Sequence, residues 1–502
     1  MPEKRKDRAK LNMLTMILRQ LLATLCGIVI PRVMIGAFGS VVYGATTSIS
    51  QFLSYISLLE SGIGRVARGA LYRHLAQNSK ENISRVYQAI KSFFRYVGIF
   101  FVVYAVILAL SYFKIADISA LSYEYTVGLV LAISISTAAN YFFGIANMTL
   151  MHADQKQYLT NTIITVTNVI NTVCIVLLIQ AKADVLTVKL VSSLVFLARP
   201  VLYARHVKKH YDLPKVQKDP NALSQKWTGM GQHIAYFLHT NTDIVLLTVF
   251  SDLKLVAVYS VYHLVINSVW NIASSFSGGM EAAFGEMIAK NEQKVLSGAY
   301  RKYKLILTAV AMVLFGCTAV LLIPFVRLYM ADVSDANYIQ PLFGMLLLMA
   351  EFINCLVLPC TTLPISANSL KKTRWGSYGE ALINIGVSLL LIQWNPLVGV
   401  AMGTLLATVF KAVYYMRYTA VSILKCSVWK LFGKFGLSLL IMLAISAGGM
   451  LLLWQVPMEN FFIWAIWGGV SFLIVGAITC VFCKMMFPAE TKSILNKLLR
   501  KN

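Results

Sequence analysis

LTMILRQLLATLCGIVIPRVMIGAF, residues Leu14 to Phe38, is an unbroken apolar run that carries two arginines, Arg19 and Arg32. As a helix, a run of this length crosses a hydrocarbon core of about 30 Å. A guanidinium at mid-bilayer costs about 3 kcal/mol on insertion scales, so it faces a water-filled cavity or a partner unless its stem snorkels to the headgroups. Arg19 lies about a turn and a half inside one end and fits either arrangement. Arg32 lies nearer the far end, where snorkelling is easier. Pro31 removes one backbone hydrogen bond, which neighbouring helices must make good. If these arginines line a cavity, function turns on the anion they meet there.

The rest of the chain continues the pattern. With 502 residues, 58% hydrophobic and 13% charged, and a mean hydropathy of +0.68, the chain reads as an all-α polytopic membrane protein. Apolar segments fall near 14–38, 41–64, 88–113, 123–150, 157–181, 185–206, 230–251, 254–279, 303–326, 338–365, 375–394, 396–418, 431–455 and 460–486. That makes about fourteen transmembrane helices. The eight cysteines are scattered and frame no disulfide set; Cys480 and Cys483, the one CxxC, read as small apolar residues of the last span. The first run is too long for a cleavable signal peptide, lacks a small-residue cleavage site, and is expected to act as a signal anchor.

The net charge of +24 is explained by where it sits. With the N-terminal KRKDRAK placed in the cytoplasm, about 36 of the 45 Lys and Arg residues fall on that side and about five in the opposite loops. Arg68, Lys304 and Lys411 are among those assigned to the cytoplasmic loops. The bias puts both termini in the cytoplasm and makes the basic excess topological, which argues against nucleic acid as a partner. The longest polar stretch is the linker at 207–229, marked by Pro214 and Pro220, with six spans before it and eight after.

Those halves are related. Ile170–Gln180 reads INTVCIVLLIQ and Ile383–Gln393 reads INIGVSLLLIQ, 213 positions apart, with six of eleven residues identical. Ala76 and Asn78 recur at that offset as Ala289 and Asn291, and Ala153 falls close to Ala367. A duplication with an even number of spans keeps both copies in one orientation. The expected architecture is two six-helix lobes around a central cavity plus two extra C-terminal helices. Its divisions are an N-terminal lobe at 1–206, the linker at 207–229, a C-terminal lobe at 230–420, and two additional helices with a basic cytoplasmic tail at 421–502.

Polar residues inside the spans are candidates for a cavity lining. Embedded charge is mainly basic in the first half, with Arg19, Arg32 and Arg199 beside Asn140 and Asn147, and mainly acidic in the second, with Asp243 and Glu380 near Asn384. This suggests an anion handled by the first lobe and a cation or proton by the second. An intramembrane Asn is also a common interhelical contact, and Glu60 and Glu380 lie near helix ends where the interface can solvate them. Asp243, deep in its span, must be neutralised, solvated or paired. Gly399 and Gly403 form a GxxxG, read as a close helix contact. There is no GxxxxGK[ST] loop, no GxSxG elbow and no metal-ligand cluster, His233 and His239 being six apart. No loop on the outer side is long enough for a catalytic domain, so the chain reads as a non-enzyme without a cofactor or metal.

IVIPRVMIGAFGSVVYGATTSISQFLSYISLLESGIGRVARGAL at Ile28–Leu71, NTDIVLL at Asn241–Leu247 and VAVYSVY at Val256–Tyr262 resemble the polysaccharide biosynthesis flippases, including O-antigen exporters, of the multidrug/oligosaccharidyl-lipid/polysaccharide exporter superfamily. The span count, linker position and repeat extend the resemblance over the whole chain. It implies a V-shaped pair of lobes in the inner or plasma membrane. It also implies movement of an undecaprenyl-diphosphate-linked oligosaccharide to the outer leaflet by alternating access, for O-antigen, capsule or exopolysaccharide synthesis. Arg19, and less directly Arg32, would meet the diphosphate, and a coupling site for Na+ or H+ would fall among Asp243, Glu380 and Asn384. Membrane potential is a further driving force to consider. Implied partners are the lipid-linked substrate, membrane lipids, and a polysaccharide polymerase with its chain-length machinery. The alternatives are a cation-coupled multidrug or metabolite antiporter of the same superfamily, whose cationic substrates fit an arginine-bearing lobe poorly, and a membrane glycosyltransferase or polymerase.

Overall fold

The computed structural model describes residues 2–60, 63–116, 121–224, 230–275, 277, 279–453 and 459–499. Lys226, Arg500, Lys501, the last five positions of the 207–229 linker and the end of the 431–455 span lie outside them. The protein is an all-α polytopic membrane protein, and every regular element among the described residues is helical. Two compact units form, Met1–Phe237 with Asp252–Ala257, and Leu238–Ser251 with Val258–Asn502.

The first unit begins with α1 (Pro2–Ser54), α2 (Ile63–Ala76), α3 (Lys80–Ile115), α4 (Tyr123–Ala139) and α5 (Ile145–Ala153), followed by α6 (Gln157–Gln180), α7 (Val185–His210) and the start of α8 (Met230–Phe250). The first two expected spans are not separated by a loop. They run on as α1 and bend at Gly39, whose φ of 81° and ψ of 167° suit a residue without Cβ. The second span then tightens into a 3-10 segment, Tyr55–Glu60, ahead of α2. The expected span at 123–150 is likewise divided, α4 passing into α5 through a π-helical turn at Asn140–Gly144. The apolar centre of this part is Met34, Ile175, Val185 and Val188.

The second unit continues through α9 (Leu253–Ser275), α10 (Met280–Ala289), α11 (Gln293–Tyr329), α12 (Pro341–Ser366), α13 (Leu370–Leu391), α14 (Pro396–Tyr418), α15 (Val428–Leu453), α16 (Phe461–Met486) and α17 (Pro488–Leu499). Part of the expected basic tail is therefore a further helix, α17. Small residues govern how α15 and α16 seat on α11. A Cβ added to Gly449 would come within 2.5 Å of Val320, and one on Gly316 within 2.7 Å of Val475. Without a hydrophobic drive between helices in lipid, such close approach supplies the dispersion contacts that hold them together. Lys304 and Lys411 do not lie in polar loops: both are inside helices, α11 and α14, with Lys304 7% exposed and the Lys411 side chain 12% exposed. Their long apolar stems let them stand inside apolar windows.

Eleven helical stretches are long and apolar enough to cross a membrane. The first, Lys10–Glu60, contains two of the expected spans on either side of Gly39. The polar α8 and α13 are the two expected spans outside the eleven, which together accounts for the fourteen read from sequence.

The duplication has a backbone signature. Asn78 and Asn291 adopt left-handed φ of 51° and 57°, and Gln155 and Asn368 adopt 59° and 50°; each pair is 213 positions apart. The capping bonds recur with them. Ser79 N donates to His74 O as Glu292 N does to Met287 O, and Lys156 N donates to Met151 O as Ser369 N does to Pro364 O. These are helix C-caps in which a left-handed residue satisfies otherwise unpaired carbonyls.

One turn anchors the chain start. Asp154, at the end of α5, pairs with Lys156 at 2.7 Å and Arg8 at 3.6 Å, and accepts from the Tyr211 hydroxyl at 2.6 Å. Burial, reinforced by that hydrogen bond, holds the Tyr211 hydroxyl well above its ordinary pKa, so it remains a donor. Asn12 completes the junction by accepting from Tyr158 N at 2.7 Å. Asp154→Ala leaves the Tyr211 proton without its acceptor and Lys156 without its counter-charge, though Lys156 still donates to the Tyr211 hydroxyl at 3.0 Å, and should lower stability by about 1–3 kcal/mol. Melting of the purified protein checks this, and an unchanged midpoint would show that the junction is not stabilising.

Candidate functional site

Two polar clusters stand out, one in each unit. In the first, the π-turn widens the helix where α4 meets α5, and a cavity of ≈ 330 Å³ opens there, lined by Glu60, Asn140, Tyr141, Arg199 and Tyr203 among others. Gly144 makes the turn possible, since a Cβ there would sit 2.0 Å from Asn140 Oδ1. Arg199, on α7, is held from α6: its Nε donates to Thr167 Oγ1 at 2.7 Å and an Nη to Asn168 Oδ1 at 2.6 Å. Its guanidinium lies 4.1 Å above the Phe196 ring. Two of its five donors are thus fixed, which orients the fork and leaves donors for a ligand.

Arg19, half-buried on α1, lies within electrostatic reach of Arg199 and Tyr203, and both Arg19 and Arg68 of α2 act on His152. Arg199 is the arginine that lines the cavity itself; Arg19 acts on it electrostatically from outside the lining, and Arg68 is linked to the same region only through His152. Arg68 was assigned from sequence to a cytoplasmic loop, and the neighbouring glycines of α2 gave no signal to the contrary. Across the cavity wall Tyr141 donates to Glu60 Oε1 at 3.1 Å, so Glu60 belongs to the lining.

Two expected residues lie elsewhere. Arg32 is about 20 Å along α1 from Arg19 at 1.5 Å per residue and is not part of this lining. Asn147 is buried and its amide is committed. It accepts from the Tyr87 hydroxyl at 2.9 Å and donates to Phe143 O at 2.7 Å, joining α3 to α5.

In the second unit the structure gathers Asp243, Asn384 and Glu380. Asp243 Oδ2 accepts from Tyr259 at 2.9 Å and from Thr404 Oγ1 at 3.0 Å. Asn384 Nδ2 donates to that same Thr404 oxygen at 3.0 Å. Among the described residues, Asp243 Oδ1, Asn384 Oδ1 and Ser388 Oγ have no hydrogen-bond partner. Buried oxygens left open in this way are strongly unfavourable, and a carboxylate with amide and hydroxyl oxygens is the donor set of a hard cation rather than of a thiophilic metal.

One turn before Asn384, Glu380 pairs with His239 Nε2 at 3.2 Å and Lys411 Nζ at 3.0 Å. Lys411 also donates to Asn354 Oδ1 at 3.1 Å, and Asn354 to Glu351 Oε2 at 3.1 Å. Glu380 thus has an internal cation, which distinguishes it from Asp243.

The GxxxG creates this cluster. A Cβ on Gly403 would meet Ser388 Oγ at 2.0 Å and Asn384 O at 2.7 Å, and one on Gly399 would meet Ile392 N at 2.7 Å. Close packing of α14 on α13 brings Thr404 to Asn384. Sequence reading missed Thr404, Tyr259 and Ser388, although Thr404 directly follows the second glycine of the motif.

No family model matches the chain, and no curated protein matches it by sequence. Solved structures do. The chain is similar to lipid II flippase MurJ in an inward closed conformation, with a TM-score of 0.70 and 11% identity over 95% of this chain and 99% of that one. It is also similar to the MATE multidrug transporter DinF-BH, with a TM-score of 0.59 and 15% identity over 83% and 95%. An inward-facing multidrug resistance MATE family transporter of the MOP superfamily matches with a TM-score of 0.52 and 14% identity over 80% and 95%. At these identities the likeness is one of fold. These neighbours are transporters and a flippase rather than enzymes.

Gly403→Val should separate α13 from α14 and cost about 1–3 kcal/mol. Gly386→Ala, on α13 with nothing within 4 Å of its added Cβ, should be neutral or stabilising by up to about 1 kcal/mol. Parallel melting curves check both, and equal effects would contradict the packing.

Proposed function

We propose that this chain is a flippase that moves an undecaprenyl-diphosphate-linked oligosaccharide from the cytoplasmic to the outer leaflet by alternating access, for cell-surface polysaccharide synthesis. The observation that carries this reading is the Arg199 fork, fixed by Thr167 and Asn168 at the wall of a ≈ 330 Å³ cavity, with Arg19 within electrostatic reach of it. Planar guanidinium groups pair bidentately with phosphate oxygens, and a diphosphate is the part of a lipid-linked sugar that offers them. The fold likeness to a lipid II flippase supports the same class of substrate.

Coupling is assigned to Asp243, Asn384 and Thr404, with Ser388 contributing a fourth oxygen and Glu380 held by Lys411 beside them. A sodium ion or a proton on Asp243 would neutralise the buried carboxylate, so the cation changes the energy of the second unit by a charge. Asn140 and Glu60 are proposed as polar lining toward the sugar, while Asn147 has a structural role. In this reading the protein spans the inner or plasma membrane with both termini cytoplasmic, and passes its cargo to a polymerase and chain-length machinery.

A multidrug antiporter reading draws on the fold likeness to MATE transporters. Binding of an undecaprenyl diphosphate to the purified protein separates the two. The unmodified chain should bind it, Arg199→Ala should weaken binding about tenfold or more, the loss of a charge-assisted contact of about 1.5–3 kcal/mol, and a lipophilic organic cation should not compete. Binding unaffected by Arg199→Ala, or displaced by the organic cation, would favour the antiporter.

A further inference from the structure

Lys304 belongs to neither cluster. It stands on α11, 7% exposed, and among the described residues its Nζ has no hydrogen-bond partner. It lines a small, partly open space of ≈ 10 Å³ together with Thr308, Met416, Lys434, Ser438 and Phe487. The second ammonium, Lys434 of α15, lies 4.0 Å from the centre of the Phe487 ring.

Among the described residues no carboxylate acts on Lys304. Lys304 feels the thiols of Cys360 and Cys426 and the like charge of Lys434. Tyr300 is engaged with Cys360 Sγ at 3.1 Å. Glu490 acts on Lys434, as does Arg301, but that carboxylate is paired with Arg301 at 3.2 Å. Two lysines therefore converge on a space large enough for about one water-sized particle, and a buried cation without a counter-charge is strongly unfavourable.

We propose that this space binds a single monatomic anion, chloride in physiological media, which bridges the ammonium groups of Lys304 and Lys434 and ties α15 to α11. The small volume favours a monatomic anion over a phosphate or a lipid headgroup, and the flexible lysine stems must give slightly, since a chloride ion is larger than a water molecule. Thr308 adds a hydroxyl to the lining, Ser438 spends its proton on Lys434 O at 2.8 Å, and the apolar wall of Leu356 and Met416 favours a weakly hydrated halide over a bulkier oxyanion.

The test uses the full-length protein in detergent, at fixed sodium concentration and ionic strength so that a cation at Asp243 is unaffected. Sodium chloride is exchanged stepwise for sodium gluconate while the apparent melting temperature is followed. Chloride should raise it saturably by at least about 1 °C, and bromide should do the same. Lys304→Met should abolish the difference between the anions while melting no lower than the unmodified protein in gluconate. If that variant does not fold, Lys434→Gln on the half-exposed partner should abolish the difference instead. Equal melting in chloride and gluconate, or a halide effect that survives in the variant examined, would overturn the proposal.

Discussion

A carboxylate inside a membrane helix is costly to bury, and Asp243 sets terms that its neighbours meet. Hydroxyls from α9 and α14 reach one of its oxygens, while the other stays open beside two further unpartnered oxygens of α13. Full satisfaction would have made the group inert. On the proposed reading the open oxygens give the second unit an affinity for positive charge, which converts an ion gradient into a conformational preference.

The same constraint is handled differently a few residues away. Glu380 is neutralised by Lys411, carried on a neighbouring helix, with His239 Nε2 at 3.2 Å beside it. A tethered ammonium cannot leave, so that ion pair is a fixed part of the unit. In the first unit the sign is reversed: the Arg199 guanidinium is held by neutral oxygens of Thr167 and Asn168 rather than by carboxylates. Neutral holders orient Arg199 without consuming its charge, which is the condition for meeting an anionic ligand.

Much of this was legible in the residues because the bilayer allows so few solutions. Long apolar runs had to be helices, and the offset of 213 that aligns two sequence segments also aligns left-handed caps at Asn78 with Asn291 and Gln155 with Asn368. Asp243, Glu380 and Asn384 were found because polar groups in apolar spans are conspicuous. What stayed hidden was polarity that does not look out of place. Thr404 and Ser388 are ordinary in membrane helices, Lys411 and Arg68 sit close enough to span ends to pass for loop residues, and a π-turn has no residue signature beyond Gly144. Asn147 shows the converse, since an embedded amide selected by type alone proved to be an interhelical bridge.

The central claim is that an anion site in one unit and a cation site in the other serve one transport cycle. Reconstituted vesicles loaded with a lipid-linked oligosaccharide, and probed for sugar exposed on the opposite leaflet with and without a sodium or proton gradient, test it most directly. The account predicts gradient-dependent exposure that is lost in Asp243→Asn and in Arg19→Ala. Exposure that proceeds unchanged in both variants, or none under either gradient, would contradict it.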